Sequence, residues 1–253
     1  MFLGAKKRIL SDALLYSSII SFAAGILTAL VRLVVGRVPS LSSDMLNDMV
    51  WNLQSGISVV QIVLTFLIFI FHWRLLRHYI ETVPAEERRQ MGLLQEEFLG
   101  RDIPSLTAED VNKLLEIWGV ILVGSEIVYQ VTSSLYREFI EQISVFSLSG
   151  PAGYGIYLNI YTKTHGFKYL GMMIAIILGI MITGIFLNDR YLKGCGIVLS
   201  ALFLLLFAVI NRFTFTIFGR NVGIVWTSVL FHAVDMAGLI LLAIYLRRRY
   251  RGV

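Results

Sequence analysis

A histidine and an aspartate lie three residues apart in one of the most apolar parts of the sequence. His232 and Asp235 belong to the stretch TSVLFHAVDMAG. Residues three apart on a helix share a face, and a charge at the centre of a bilayer costs about 2.5–3.5 kcal/mol even on the mildest scale. A proton relay, an ion or substrate pathway, a metal site or an acid–base pair would each justify that cost. The alternative is a hydrogen-bonded contact between packed helices.

A second carboxylate, Glu126, lies in another apolar segment at a similar depth. With a rise of about 1.5 Å per residue, Glu126 and Asp235 each lie roughly 18 Å from the start of their segments. Both positions fall near the middle of a hydrocarbon core of about 30 Å. We therefore expect Glu126, His232 and Asp235 to meet each other or water, and to titrate as a coupled set.

Polar residues recur every three or four positions in the first three apolar segments, so that they share one helix face. These residues are Ser17, Ser21, Gly25, Thr28 and Arg32 in the first segment, Gln54, Ser58, Gln61 and Thr65 in the second, and Glu126, Gln130, Ser133 and Arg137 in the third. The pattern predicts a polar interior between helices one, two, three and six. The predicted pathway residues are Arg32, Gln61, Glu126, Gln130, His232 and Asp235.

Two of these features also have a purely structural interpretation. The small residues Ser21, Gly25 and Ala29 are typical of a seam where two helices pack closely. Arg32 lies near the end of its segment, where a long side chain reaches the interface. Helices four and five lack a polar stripe altogether, and we expect them to face lipid or a partner subunit.

The composition assigns the chain to the membrane proteins. It has 253 residues, of which 57% are hydrophobic and 15% charged, whereas soluble domains are about 25% charged. The net charge of +5 fits basic residues that fix membrane orientation better than it fits nucleic-acid binding. Cys195 is the only cysteine, which excludes an intrachain disulfide and a multi-cysteine metal site.

Apolar segments near the required length of about 20 residues predict an all-α, polytopic integral membrane protein with six transmembrane helices. The predicted spans are about 12–36, 55–75, 113–134, 169–187, 194–211 and 223–246 of a single membrane domain, 1–253. Most Lys and Arg residues then lie on the side of the N-terminus, which predicts an N-in/C-in topology. Tryptophans fall at the outer ends (Trp51, Trp226) and the inner ends (Trp73, Trp118) of the spans, as interfacial aromatics do.

Two connections are longer than turns. The inner loop, 76–112, predicts an amphipathic helix that begins near Pro84, followed by a helix capped by Thr107 and Asp110. Arg88, Arg89 and Leu94 on the first of these helices are the predicted residues for docking a partner. The outer loop, 137–168, contains the Gly/Pro-rich SLSGPAGYG and predicts an interfacial segment.

These features favour a membrane transport protein, of the permease type, that moves a polar, ionic or amphipathic substrate. Its predicted partners are the lipid bilayer and a separate cytosolic ATPase or other membrane subunits, and its predicted location is the bacterial cytoplasmic membrane. The sequence contains no HExxH, no P-loop and no GxSxG, and we predict no cofactor and no metal. Two alternatives stay open. One is an intramembrane hydrolase or lipid-modifying enzyme that uses Glu126, His232 and Asp235. The other is a membrane scaffold.

Overall fold

Six helices account for nearly all of the chain that the structure, a computed structural model, describes, namely residues 8–35, 43–84, 86, 106–147, 169–217 and 220–250. The helices are α1 (Ile9–Val35), α2 (Ser43–Thr82), α3 (Ala108–Ser147), α4 (Leu170–Phe186), α5 (Arg190–Ile217) and α6 (Arg220–Arg249). The predicted all-helical fold is confirmed for these residues. Four of the helices, α1, α2, α3 and α6, are long and apolar enough to cross a membrane, and α4 is an apolar helix of 17 residues.

The helices pack as a closed ring in which each contacts the next along the chain and α6 returns to pack against α1. We call the end where α1 begins and α6 ends the proximal end, and the opposite end the distal end. A large apolar cluster that includes Leu14, Trp118 and Leu246 fills the proximal half. A smaller cluster around Tyr129, Tyr169 and Phe231 lies towards the distal end.

Helices α2 and α3 are both longer than the predicted spans, at 40 residues each. At about 1.5 Å per residue they are roughly 60 Å long, about twice the thickness of a hydrocarbon core. The predicted outer loop began at residue 137, whereas α3 continues to Ser147. The Gly and Pro residues that favour a loop come only at positions 150 and 151. In addition, Arg137 forms a salt bridge with Glu141 one turn later (2.6 Å).

The predicted cap at the start of α3 is confirmed. The backbone N–H of Asp110 donates a hydrogen bond to Oγ1 of Thr107 (3.1 Å), and the backbone N–H of Thr107 donates to Oδ2 of Asp110 (3.3 Å). This reciprocal pair satisfies donors that the first turn of a helix leaves without partners. The docking residues Arg88, Arg89 and Leu94, and residues 148–168 of the outer loop, lie outside the described residues.

The prediction that α4 faces lipid or a partner subunit describes only one of its two faces. Its residues Gly179 and Thr183 pack against Trp118 of α3, whose ring N–H donates a hydrogen bond to Oγ1 of Thr183 (2.9 Å). A Cβ atom at Gly179 would lie 2.6 Å from this indole ring. Because α4 is apolar on nearly all sides, its sequence does not show which face is buried in the protein and which faces lipid. The opposite face of α4 does expose large apolar residues, among them Ile174, Leu178 and Ile185.

Ion pairs join neighbouring helices at both ends of the ring. At the proximal end, Arg247 of α6 binds Asp12 of α1 and donates a second hydrogen bond to Oγ of Ser11 (2.7 Å). At the distal end, Arg137 of α3 binds Asp48 of α2. These pairs hold α1 against α6 and α2 against α3, which are the two helix pairs that carry the predicted pathway residues.

The predicted orientation can be tested with single cysteines. In a Cys195→Ser background, Tyr191→Cys marks the proximal end and Met45→Cys the distal end, and both native side chains are exposed (73% and 60%). With the proximal end in the cytoplasm, a membrane-impermeant maleimide should label Met45→Cys in intact cells. It should label Tyr191→Cys only in inverted vesicles. Labelling of Tyr191→Cys in intact cells would contradict the N-in/C-in topology.

Candidate membrane-embedded carboxylate site

His232 of α6 is held against α1 by Ser21 and Gly25, which lie one helical turn apart. Oγ of Ser21 and Nδ1 of His232 are 3.2 Å apart and form a buried hydrogen bond. A Cβ atom at Gly25 would lie only 2.6 Å from Cγ and Cδ2 of the His232 ring. The absence of a side chain at residue 25 therefore lets the imidazole lie directly on the backbone of α1. Ser21 and Gly25 therefore provide both the close packing of α1 on α6 and the polar contact with His232.

Glu126 of α3 contacts α2 through Gln61. The side-chain amide of Gln61 donates a hydrogen bond to Oε1 of Glu126, and the two side chains are 2% and 5% exposed. The remaining polar residues of the α2 stripe, Gln54, Ser58 and Thr65, are also buried. The helical periodicity of α2 thus places its polar face towards the interior of the ring, and this face meets the carboxylate of α3.

The two carboxylates meet at one small cavity inside the ring. Glu126 reaches it from α3 and Asp235 from α6. Its volume is about 10 Å³, at the lower limit of the space that one water molecule requires. The residues that line it are Ser17, Ser21, Thr65, Leu122, Ser125, Glu126, Met172, Ile176, Asp235 and Leu239. The lining combines two carboxyl groups and four hydroxyl groups with four apolar side chains.

Two polar atoms of this lining are buried without a hydrogen-bond partner in the part of the chain that the structure describes. They are Oε2 of Glu126 and Oγ of Ser17. Buried polar atoms in native proteins almost always have a partner, so each exception requires an explanation. Both atoms belong to residues that line the cavity, so a small ligand in the cavity is the explanation that the structure offers for both.

A layer of aromatic rings lies on the distal side of the cavity. The rings of Tyr129 and Tyr169 meet the His232 ring edge-on, with centroid distances of 6.3 Å and 6.0 Å. Tyr169 in turn stacks on Phe231 at 4.9 Å. This aromatic layer separates the polar cluster from the distal end of the ring, and the proximal apolar cluster separates it from the other end. The cavity therefore lies between an aromatic layer and an apolar cluster.

The structure brings together four of the six predicted pathway residues. Gln61 binds Glu126, Asp235 shares a cavity with Glu126, and His232 contacts the cavity residue Ser21. Gln130 is half-buried one turn distal to Glu126 and does not line the cavity. Only the backbone of Arg32 is described, within α1.

The sequence did not identify five residues that line the cavity, namely Leu122, Ser125, Met172, Ile176 and Leu239. Ser125 directly precedes Glu126 and lines the same cavity. Its hydroxyl group donates a hydrogen bond within its own helix, to the carbonyl of Leu122 (2.8 Å). Met172 and Ile176 of α4 complete the wall. Their spacing of four residues indicates a common helix face, but nothing in an apolar sequence tells which face of α4 is buried.

The cavity restricts the chemistry of the site. Among the described residues there is no group of three or more His, Cys, Asp or Glu side chains that could hold a metal ion. The Ser21–His232 pair has the residue types of a nucleophile and its base. However, the cavity that Ser21 lines holds no more than one water, so an ester or amide group has no room beside the serine.

A second polar cluster lies at the proximal end, where Asp189 joins the α4–α5 turn to the end of α6. One carboxylate oxygen accepts hydrogen bonds from the backbone N–H groups of Tyr191 and Leu192 (2.9 and 3.3 Å), which caps the start of α5. The other accepts from the hydroxyl groups of Tyr245 (2.7 Å) and Tyr250 (2.6 Å). Asn188 before it adopts a positive φ of 50°, a conformation that asparagine tolerates better than most residues.

The electrostatics of Asp189 reflect these contacts. Burial raises the pKa of its carboxyl group, but the hydrogen bonds from Tyr250, Tyr245 and the backbone lower it further, so that the pKa falls below 3.8. Burial, followed by the hydrogen bond to Asp189, raises the pKa of the Tyr250 hydroxyl above its usual value of 10. The ionised aspartate and the neutral tyrosine are therefore the stable pair. All four acceptor contacts of Asp189 are internal to the protein, which is typical of a structural clamp.

Comparison of the chain with family models, curated proteins and solved structures returns no match. The site must therefore be interpreted from its own geometry.

Proposed function

We propose that the protein is a permease-type membrane transport protein that moves a polar, ionic or amphipathic substrate through the interior between α1, α2, α3 and α6. In this proposal all six helices span the bacterial cytoplasmic membrane, and both termini lie in the cytoplasm. The observation that carries the proposal is the pair of carboxylates, Glu126 and Asp235, which face one cavity from two different helices.

The position of this pair favours a functional role over a structural one. A contact that only holds helices together is better made by neutral partners, because charged groups inside a membrane are costly. The chain uses neutral partners elsewhere, as between Trp118 and Thr183. At the cavity, by contrast, one oxygen of Glu126 has no partner. Buried ionisable groups of this kind line ion, proton or substrate pathways in membrane proteins.

The enclosed cavity corresponds to an occluded state in this proposal. Transport requires that the interior open alternately to the two sides, and the aromatic layer around Tyr169 is the distal closure. The proximal closure is the apolar cluster around Trp118. A cytosolic ATPase that docks on Arg88, Arg89 and Leu94 is one source of energy for such a permease, and an ion gradient is the other; the ATPase rests on the sequence alone.

An intramembrane hydrolase is the second candidate, and the hydrogen bond between Ser21 and His232 is the observation that favours it. This pair would act as nucleophile and base, with Asp235 one turn from the imidazole. The candidate ranks lower because the serine lies beside a cavity of about 10 Å³. A hydrolase would need α1 and α6 to separate before a substrate carbonyl could reach Oγ of Ser21.

Charge-neutral variants test the transport proposal. In membrane vesicles from cells that overproduce the protein, assayed with and without ATP, solute-dependent currents or uptake should fall about tenfold or more in Glu126→Gln and Asp235→Asn. A tenfold loss corresponds to about 1.4 kcal/mol. Each substitution keeps the shape of the side chain and removes its charge. Glu116→Gln is the control, because Glu116 is an exposed carboxylate that accepts hydrogen bonds from Trp73 and Asn112 away from the cavity.

The same variants separate transport from the other interpretations. Wild-type activity in both neutral variants, combined with a lower melting temperature in His232→Ala, would show that the cluster is a structural contact. Loss of activity in Ser21→Ala alone, with Glu126→Gln and Asp235→Asn active, would favour the hydrolase.

A further inference from the structure

The cavity between Glu126 and Asp235 needs a ligand that both accepts and donates a hydrogen bond. Oγ of Ser17 and Oε2 of Glu126 are buried, at 3% and 5% residue exposure, and have no partner among the described residues. A hydroxyl group requires an acceptor for its hydrogen, and a carboxylate oxygen requires a donor. One water molecule provides both, and the volume of about 10 Å³ is at the limit for one.

The charges around the cavity require a proton as well as a water. The titratable groups that line it are Glu126 from α3 and Asp235 from α6. The lining residues of α1, α2 and α4 do not titrate, and no Lys or Arg is among them. His232, the nearest further titratable group on α6, is bound through Nδ1 to Ser21. Two like charges cannot both persist at such a buried site, so at least one carboxyl group holds a proton.

We infer that Glu126 and Asp235 share one exchangeable proton through a single water in this cavity, and that this proton is the coupling ion of the protein. The site itself follows from the geometry of the cavity. Only its role as a coupling ion rests on the transport function proposed above.

The transfer needs no other reactant. The proton leaves the carboxyl oxygen of one residue for the water, and the water passes one of its own protons to the carboxylate of the other residue. Ser17 orients the water by donating its hydroxyl hydrogen, and Gln61 fixes Glu126 by donating to Oε1. Both are positioning residues. Exchange between the two carboxyl groups conserves charge within the cavity, whereas opening of the ring would expose the proton to one side of the membrane.

Infrared spectroscopy of the full-length protein in lipid nanodiscs tests the proton site directly. At neutral pH the wild type should show the carbonyl stretch of a protonated carboxylic acid, shifted to lower frequency in D₂O. The Glu126→Gln/Asp235→Asn double variant should lose this band. Glu116→Gln should keep it, since Glu116 is exposed. A wild-type spectrum without the band, or a band that survives in the double variant, would overturn the inference.

A matched pair of serine variants tests the water. Ser17→Ala removes the hydroxyl group that lines the cavity and should shift the pH at which the band disappears, because a hydrogen bond that favours one protonation state moves the pKa of a carboxyl group. Ser18→Ala should leave this pH unchanged, because the hydroxyl group of Ser18 bonds to the carbonyl of Leu15 in its own helix (2.7 Å) and does not line the cavity. If Ser17→Ala and Ser18→Ala show the same pH at which the band disappears, Ser17 does not orient the water.

Sodium is the competing occupant, and it gives a different result. If NaCl, compared with choline chloride at constant pH, raises the melting temperature of the wild type but not of Glu126→Gln, then the cavity binds Na⁺ and the inference is wrong.

The coupling role has a separate readout. With the carboxyl band present, an imposed pH gradient should drive solute currents in wild-type vesicles. Solute currents that do not change with the pH gradient would contradict the coupling role alone. If the vesicles move no solute, the transport function is contradicted, but the proton site is not.

Discussion

Replacing Gly25 with alanine is expected to lower the thermal stability of the protein, although alanine is the better helix former. A Cβ atom at residue 25 would lie 2.6–2.7 Å from Cβ, Cγ and Cδ2 of His232. These atoms are near the root of the side chain, so a rotation of the ring cannot move all of them away. Overpacking of this kind costs about 1–3 kcal/mol, whereas the exchange of glycine for alanine within a helix contributes about 0.5–1 kcal/mol. The clash should prevail.

Gly124→Ala on α3 is the matched control. Gly124 lies mid-helix near Glu126, but a Cβ atom there has no neighbour within 4 Å, so this variant should be as stable as the wild type or slightly more stable. Melting temperatures of the purified variants, followed by circular dichroism, provide the measurement. Gly25→Val should be less stable than Gly25→Ala, because a larger side chain separates α1 from α6 further. A Gly25→Ala protein that melts at or above the wild-type temperature would mean that the imidazole does not lie on α1 as described.

Removal of the Asp189 carboxylate should produce the second large effect, at a site remote from the cavity. Asp189→Ala loses the cap of α5, worth about 0.5–2 kcal/mol, and leaves the buried hydroxyl group of Tyr250 without its acceptor, at about 1–3 kcal/mol. The half-buried Tyr245 also loses its acceptor but can turn to solvent. Loss of about 3 kcal/mol is therefore expected. Asp189→Asn keeps one acceptor oxygen and should fall between Asp189→Ala and the wild type.

The pH dependence of stability gives a second measurement of this cluster. The pKa of Asp189 is below 3.8 in the folded protein, so the stability contributed by the ionised carboxylate is complete above about pH 3.8 and is lost as the pH falls through the lower, folded value. The pKa of Tyr250 is raised above 10, so its contribution is complete below about pH 10 and is lost as the pH rises through the higher, folded value. Asp189→Asn should flatten the acid limb. An unchanged acid limb in that variant would exclude Asp189 as its origin.

The sequence by itself determined that the chain is helical and which face of α2 is buried. Hydropathy and a charge content of 15% predicted apolar helices, four of which are long and apolar enough to cross a membrane, and the spacing of Gln54, Ser58, Gln61 and Thr65 identified the face of α2 that is buried in the structure. The cap at Thr107 followed from two residues three positions apart. All of these are local properties, because helical periodicity and residue count need no knowledge of a neighbour.

Only the tertiary structure decided which faces meet. The contact between Ser21 and His232 joins residues 211 positions apart, and periodicity along either helix does not specify a partner. For the same reason, the apolar residues Met172 and Ile176 gave no sign that α4 lines the cavity, since lipid and protein interior are equally apolar surroundings. Asp189 was overlooked because a carboxylate in a short turn is ordinarily solvated. Its burial depends on Tyr245 and Tyr250, which the packing of α6 brings to it from more than fifty residues away in the chain.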